Sequence, residues 1–215
     1  MKTLVIPDIH HKHKVVQRIL EKNLADKVVF LGDWFDDWDD TAEDAKATAE
    51  YLKSIIDTPN YVFLFGNHDV PYFVRSIETL CSGNTLAKHQ AINAVLTQED
   101  WWKFRLVEVV DGWTLSHAGF RHRNLMVADT ALMDLRKGII HPLFQAGEYR
   151  GGFLKFGGCT WLDWNGEFKP VPGLPQIVGH TLAPEVRQRG ENYCIDTNLN
   201  HVAVIENGKV EILQV

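Results

Sequence analysis

The sequence predicts an α/β (α+β) fold in which two β-sheets face each other between flanking helices. Three observations predict it. Short apolar runs rich in β-branched and aromatic residues recur through the first third of the chain, helix-periodic segments separate them, and the second half carries further short runs joined by turn residues. Strands that alternate with helices make βαβ units and a locally parallel sheet.

Residues 2–7, 27–31 and 61–65 are the three early apolar runs. They lack polar alternation, so they read as strands buried on both faces. Val15 to Leu24 and Thr41 to Ile56 place apolar or alanine positions at helical spacing, with Thr41 as N-cap. Trp113 to Ser116, Gln176 to Val178, Tyr193 to Ile195, Val202 to Glu206 and Val210 to Leu213 read as later short strands. Asn207-Gly208, between the last two, is a type I′ hairpin signal. By pattern, this half predicts an antiparallel sheet facing the first. Between the two halves, a helix-like piece runs to about Lys137, and the loop from Phe144 to Gly158 holds five of the 16 glycines. Residues 121–158 are therefore expected to form a small cap within one domain spanning 1–215.

The 215 residues suit one large core, and 45% hydrophobic with 23% charged residues is globular composition, which excludes a disordered chain. A net charge of -6 without a Lys/Arg-rich run argues against duplex DNA as a partner, because that binding rests on neutralised phosphates. Seven carboxylates crowd between Asp33 and Asp44 and repel one another unless cations sit among them. Asp39 to Asp44 also reads as a solvated acidic loop leading into a helix. Three cysteines, Cys81, Cys159 and Cys194, have no CxxC spacing, so neither a disulfide framework nor a zinc ribbon is indicated. With no leader-like start and no apolar run near the roughly 18 residues of a membrane span, the expectation is a soluble protein of the reducing cytoplasm.

Each early strand is followed at once by a polar cluster: Asp8 and His10, then Asp33 and Asp36, then Asn67 and His68. Ligands collect at the carboxyl ends of strands in open α/β sheets, so topology alone brings these clusters to one edge. Asp8 and His10, two apart beyond a strand, can chelate one ion from the same side of an extended segment. Asp33, after Gly32, can share its two oxygens between ions about 3.5 to 4 Å apart, the spacing of a two-metal hydrolase. It also reads as a helix N-cap. Asn67 offers a neutral amide oxygen to a hard cation, while His68, held protonated by Asp36, can donate a proton to a leaving oxyanion. His117 and His180 each sit beside a strand end and can complete a second shell; taken singly, each also reads as a hydrogen-bonded loop histidine. Imidazole ligands favour Mn, Fe, Zn or Co over Mg.

The series D-x-H at Asp8, G-D-x-x-D at Gly32, G-N-H-D at Gly66, the lone His117 and G-H-T at Gly179 resembles the calcineurin-like metallophosphoesterase superfamily over nearly the whole chain. Ser116 to Phe120, Gly179 to Thr181 and Ile195 to Thr197 look most like its phosphoprotein phosphatase and diadenosine tetraphosphatase branch. The resemblance implies a four-layer αββα sandwich of two mixed sheets with a small cap. It implies two divalent ions, manganese first and Fe, Zn, Co or Mg after it. Asp8, His10 and Asp33 would hold one ion, and Asp33, Asn67, His117 and His180 the other. It implies hydrolysis of phosphate monoesters by a hydroxide bridging the ions, with His68 as proton donor and Asp36 as its partner. Substrates would be phosphorylated small molecules, nucleotides or phosphoproteins.

Two departures bear on specificity. Asp37 stands where phosphatase relatives carry an arginine that grips phosphate, and Leu182 stands where many diesterases have the last histidine of G-H-x-H. Arg121 and Arg123, with Asn67, are the first candidates for binding substrate phosphate, and Arg150 is the next. Trp34, Phe35, Trp38, Trp161 and Trp164 offer either base stacking or ordinary packing. Lys12, Lys14, His11 and His13 read as surface groups. The alternatives are a phosphodiesterase or nuclease, a dinucleoside polyphosphate hydrolase and a catalytically silent scaffold of the same fold.

Overall fold

In the computed structural model, which describes residues 1–215, the first run forms β1 (Lys2–Ile6) at the centre of a five-stranded sheet. Chain order continues through α1 (His13–Lys22), β2 (Lys27–Phe30), α2 (Ala42–Ile55) and β3 (Tyr61–Phe63). β1, β2 and β3 pair in parallel, as their βαβ connections require. Thr41 caps α2 through a capping box with Asp44, which places one of the acidic residues at a helix start.

Three short helices follow, α3 (Val70–Phe73), α4 (Leu86–Asn93) and α5 (Gln98–Trp101), and then β4 (Glu108–Val110), β5 (Trp113–Leu115) and α6 (Met126–Arg136). Within residues 121–158, α6 packs Ala128, Ala131, Leu132 and Leu135 into the main core, and two 3-10 turns follow it, Pro142–Phe144 and Glu148–Arg150. The chain closes with β6 (Gln176–Val178), β7 (Arg187–Arg189), β8 (Asn192–Cys194), β9 (His201–Glu206) and β10 (Lys209–Gln214).

The second half does not make an antiparallel sheet of its own. β9 and β10 join the first sheet, in the order β10-β9-β1-β2-β3, and the second sheet runs β4-β5-β6-β8-β7. In that sheet β5, β6 and β8 are parallel, while β4 and β7 flank them antiparallel. Strand periodicity could not show this, because apolar runs do not declare which free edge they will pair with. β1 left one edge open, and the β9–β10 hairpin fills it. Asn207 and Gly208 both have positive φ, 51° and 74°, as the type I′ turn demands.

Alternation along β1 explains why it is apolar throughout. Val5 points between the sheets, where Val29, Leu31, Leu115, Ile177, Ile195 and Ile205 meet it. Leu4 and Ile6 point the other way, into a larger cluster with Val16, Ile19, Ala45, Ala49 and Leu52 of α1 and α2. In the second sheet Val178 and Cys194 turn away from the first and are covered by Ala118, Leu162, Trp164 and Phe168. The result is two mixed sheets with flanking helices, as the resemblance implies. Trp34, Phe35 and Trp164 are core side chains in it, which removes them as stacking surfaces. No helix is long and apolar enough to cross a membrane.

Candidate metal centre

The parallel strands of each sheet deliver the polar clusters to one rim. Asp8 and His10 follow β1, Asp33 follows β2, Asn67 and His68 follow β3, His117 follows β5 and His180 follows β6. The rim loops are tied directly: the backbone N–H groups of Ile9 and His10 both donate to the Asp33 carbonyl, at 2.9 and 2.8 Å. Asp69 fastens the next pair, because its carboxylate accepts from the backbone N–H groups of Asp33, Trp34 and Gly66 at 2.8 to 2.9 Å. Burial and neighbouring Asp33 push the Asp69 pKa up to about 7.

These loops need unusual backbone. His10, Asp33, Asp36 and His180 all have φ between 43° and 65°, a region that non-glycine residues enter at a cost and that clusters at functional sites. Gly66 is required by space, since a Cβ there would overlap the Asp33 carboxylate.

Asp33 stands between two ligand groups. Its Oδ2 lies 3.8 Å from His10 Nε2 and 3.4 Å from His117 Nε2, while its Oδ1 accepts from the His68 backbone N–H at 2.8 Å. Asp8, His10 and Asp33 form one group whose ligand atoms lie within 4.8 Å of each other, and Asp33, His117 and His180 form a second. Asn67 Oδ1 is 3.1 Å from His117 Nε2 and so joins the second.

The hydrogen-bond pattern shows that these residues fit a cation. His117 Nδ1 donates to the Leu31 carbonyl at 2.9 Å, which leaves the Nε2 lone pair facing inward. There it meets Asn67 Oδ1, His180 Nδ1 at 3.2 Å and Asp33 Oδ2, so that with His117 neutral electron pairs converge with no donor among them. His180 Nε2 is buried without a partner. His10 is oriented the same way, with Nδ1 on the carbonyls of Phe35 and Asp36 and Nε2 toward Asp33. Burial and the nearby Asp196 carboxylate hold the Asp8 pKa well above the ordinary range, an excess of negative charge that a cation relieves. Burial opposes a charge on His117, yet Asp33 and Asp8 outweigh it and bring its pKa to about 9, so without an ion Nε2 holds a proton whose place a bound cation would take.

A sequence model described as calcineurin-like phosphoesterase matches residues 1–194. The chain belongs to the calcineurin-like phosphoesterase family. The family is a dimetal phosphoesterase, and the two groups around Asp33 are candidate ligand sets for its ions. Solved structures share the fold at low identity. A cold-active protein-tyrosine phosphatase from a psychrophilic Shewanella species superposes with a TM-score of 0.62 at 14% identity, covering 99% of this chain and 80% of that one. A serine/threonine phosphatase from Saccharomyces cerevisiae gives 0.55 at 13%, with 100% and 80% coverage. A putative diadenosine tetraphosphatase gives 0.58 at 12%, with 99% and 93% coverage. No curated protein matches the sequence.

Beside the two ligand sets of this phosphoesterase, His68 Nδ1 bonds Asp36 Oδ2 at 3.0 Å. Burial disfavours the imidazolium, but Asp33 and the bond to Asp36 overcome it and raise the His68 pKa well above normal. No spacing rule points to the groups that hold Asp36. Tyr72 donates to its Oδ1, Lys88 Nζ reaches the same oxygen at 3.1 Å, and Cys81 Sγ lies 3.9 Å from Oδ2. Lys88 also pairs with Asp40, and His11 bridges Asp40 and Thr48 at 2.7 and 2.9 Å. His11 and Asp40 are thus parts of a half-buried network and not solvated groups. Lys12 is likewise engaged, 2.7 Å from Asp37.

The candidate arginines separate. Arg121 donates to the Glu167 carbonyl and lies 3.6 Å over the Phe156 ring, and Arg123 donates to the Pro172 carbonyl. The structure does not bring either one to the ligand groups. Arg150 is different: its guanidinium is anchored on Asp163 at 2.7 and 2.9 Å, lies 3.4 Å from Thr181 Oγ1, and its charge reaches His180. Trp161 stands edge-on to the His180 ring at 5.8 Å, while Trp38 is 92% exposed.

Proposed function

We propose that this phosphoesterase hydrolyses phosphate monoesters in the manner of a serine/threonine phosphatase, with Asp8, His10 and Asp33 holding one divalent ion and Asp33, Asn67, His117 and His180 the other. The observation that carries the reading is the Asp36–His68 pair set directly beside a carboxylate shared by two ligand groups. Bound ions would supply Lewis acidity and an acidified water. Manganese suits the mixed imidazole, carboxylate and amide set, with Fe, Zn, Co and Mg as alternatives.

The chain's own residues do the rest. Asp36 accepts from His68 Nδ1 and stabilises the imidazolium, so that Nε2 can give its proton to the leaving oxygen. Tyr72 and Lys88 fix Asp36 in turn. A monoester has three terminal oxygens, and Arg150, anchored by Asp163, would take one by charge-assisted hydrogen bonds. Three free thiols support a reducing, cytoplasmic setting.

The second reading is a dinucleoside polyphosphate hydrolase, favoured by Trp161 beside His180, where a base could stack. Turnover of phosphoserine peptide, p-nitrophenyl phosphate, bis-p-nitrophenyl phosphate and diadenosine tetraphosphate with Mn, Mg, Zn and Co decides between them. Preference for the two monoesters supports the proposal; preference for the diester or the dinucleotide sinks it.

A further inference from the structure

Cys81 lies on the irregular segment between α3 and α4, and this segment folds its thiol against the back of His68. Cys81 Sγ is 3.2 Å from His68 Nδ1, and Nδ1 is 3.0 Å from Asp36 Oδ2. With Sγ to Oδ2 at 3.9 Å, three different ligand types form a closed triangle. A tetrahedral zinc, with bonds of about 2.3 Å to sulfur and about 2.0 to 2.2 Å to nitrogen and oxygen, sets its ligand atoms roughly 3.3 to 3.7 Å apart. Each edge of the triangle is within about 0.5 Å of that range, a shift that side-chain rotation covers.

We propose that Asp36, His68 and Cys81 form a third metal site, separate from the two sets around Asp33, which takes a thiophilic divalent cation of the zinc and cadmium class and switches the enzyme off. Thiolate with imidazole selects such ions, whereas manganese and magnesium prefer oxygen-rich shells and leave the triangle to its hydrogen bonds. Binding releases the Nδ1 proton and the thiol proton to solvent, and the ion takes both electron pairs. His68 is then a neutral metal-bound imidazole instead of an imidazolium, and Asp36 turns from it to the ion. Cys81 and His68 are both partly exposed, so water can supply the fourth ligand. The other two thiols, Cys159 and Cys194, are buried, so Cys81 is the sulfur a metal in solution meets.

The inhibitory half of this proposal rests on His68 as proton donor; the binding half does not. The test titrates cadmium into manganese-loaded protein while following the ultraviolet cadmium–thiolate absorption and phosphate release from phenyl phosphate, whose leaving group needs a proton, together. We expect the band to grow with one equivalent beyond manganese, in step with the loss of turnover. Cys81→Ala, with Cys81→Ser as a second variant, should lack the band and need roughly tenfold or more cadmium for half-inhibition. No band in the natural protein, or equal sensitivity of the variants, overturns the site. If neither protein turns over with manganese, the phosphatase reading fails while the band still decides whether the triangle binds.

Discussion

His180 and Asp8 meet through the backbone: the His180 N–H donates to both Asp8 oxygens, at 2.8 and 3.1 Å, because Gly179 leaves room for the carboxylate. A Cβ at Gly179 would overlap Asp8 Oδ2. One glycine therefore sets the distance between a residue from each sheet.

Gly179→Ala should displace Asp8 and cost about 1 to 3 kcal/mol as an overpacking change. Metal analysis should show depleted ions and a melting scan a lower midpoint. Full metal content in the variant would contradict the proposed role of Asp8.

Lys88 is 3% exposed and answers two carboxylates, the buried Asp36 and the half-buried Asp40. Lys88→Met leaves both without their cation, and breaking a buried pair in this way costs about 3 to 5 kcal/mol. Denaturant unfolding measures the loss. A change under about 1 kcal/mol would show that water replaces the lysine.

Asp100 closes the capping box of α5 and is bonded by Lys53 and Lys103. Burial works against its charge, but these partners bring its pKa down to about 2. The folded value is below the unfolded value of about 3.9, so the carboxylate stabilises the fold above pH 4 and that contribution fades as pH falls through 2. Asp100→Asn should lower stability at pH 7 by up to about 2 kcal/mol, discounted because both lysines are partly exposed. The gap from the natural protein should narrow between about pH 4 and pH 2; a gap that is flat with pH would remove the ion pairs from the account.

If Arg150 grips phosphate as proposed, Arg150→Ala should lower kcat/KM for monoesters by about 10- to 100-fold, mostly through KM. Arg121→Ala, whose guanidinium is committed to Glu167 and Phe156, should change it little. The reverse order would restore the arginine that follows His117 as the grip.

Legibility from sequence followed locality. The clusters at Asp8, Asp33, Asn67, His117 and His180 were visible because each directly follows a strand, and parallel pairing brings strand ends to one rim. The Thr41 cap and the Asn207-Gly208 turn were visible because each is a contact within a few residues. What could not be read joins distant segments through side chains with no spacing rule. Lys88 reaches Asp36 across 52 positions, and Arg150 reaches Asp163 and Thr181 from a glycine-rich loop. The sheet that β9 would join was hidden for the same reason, since an apolar run fits either free edge.

The proposed role of His68, held by Asp36, is to protonate the leaving oxygen at a two-ion centre. Its most direct measurement compares His68→Ala with the natural protein on a series of aryl and alkyl phosphates, with metal content checked in both. A general acid is worth about 10² to 10⁴ in rate when the leaving group is basic and little when it leaves readily as an anion. With His68 as proton donor, the variant should keep its metal content, lose that much rate on alkyl and phenyl phosphate, and lose much less on p-nitrophenyl phosphate. An equal loss across the series, or depleted metal, would contradict that role.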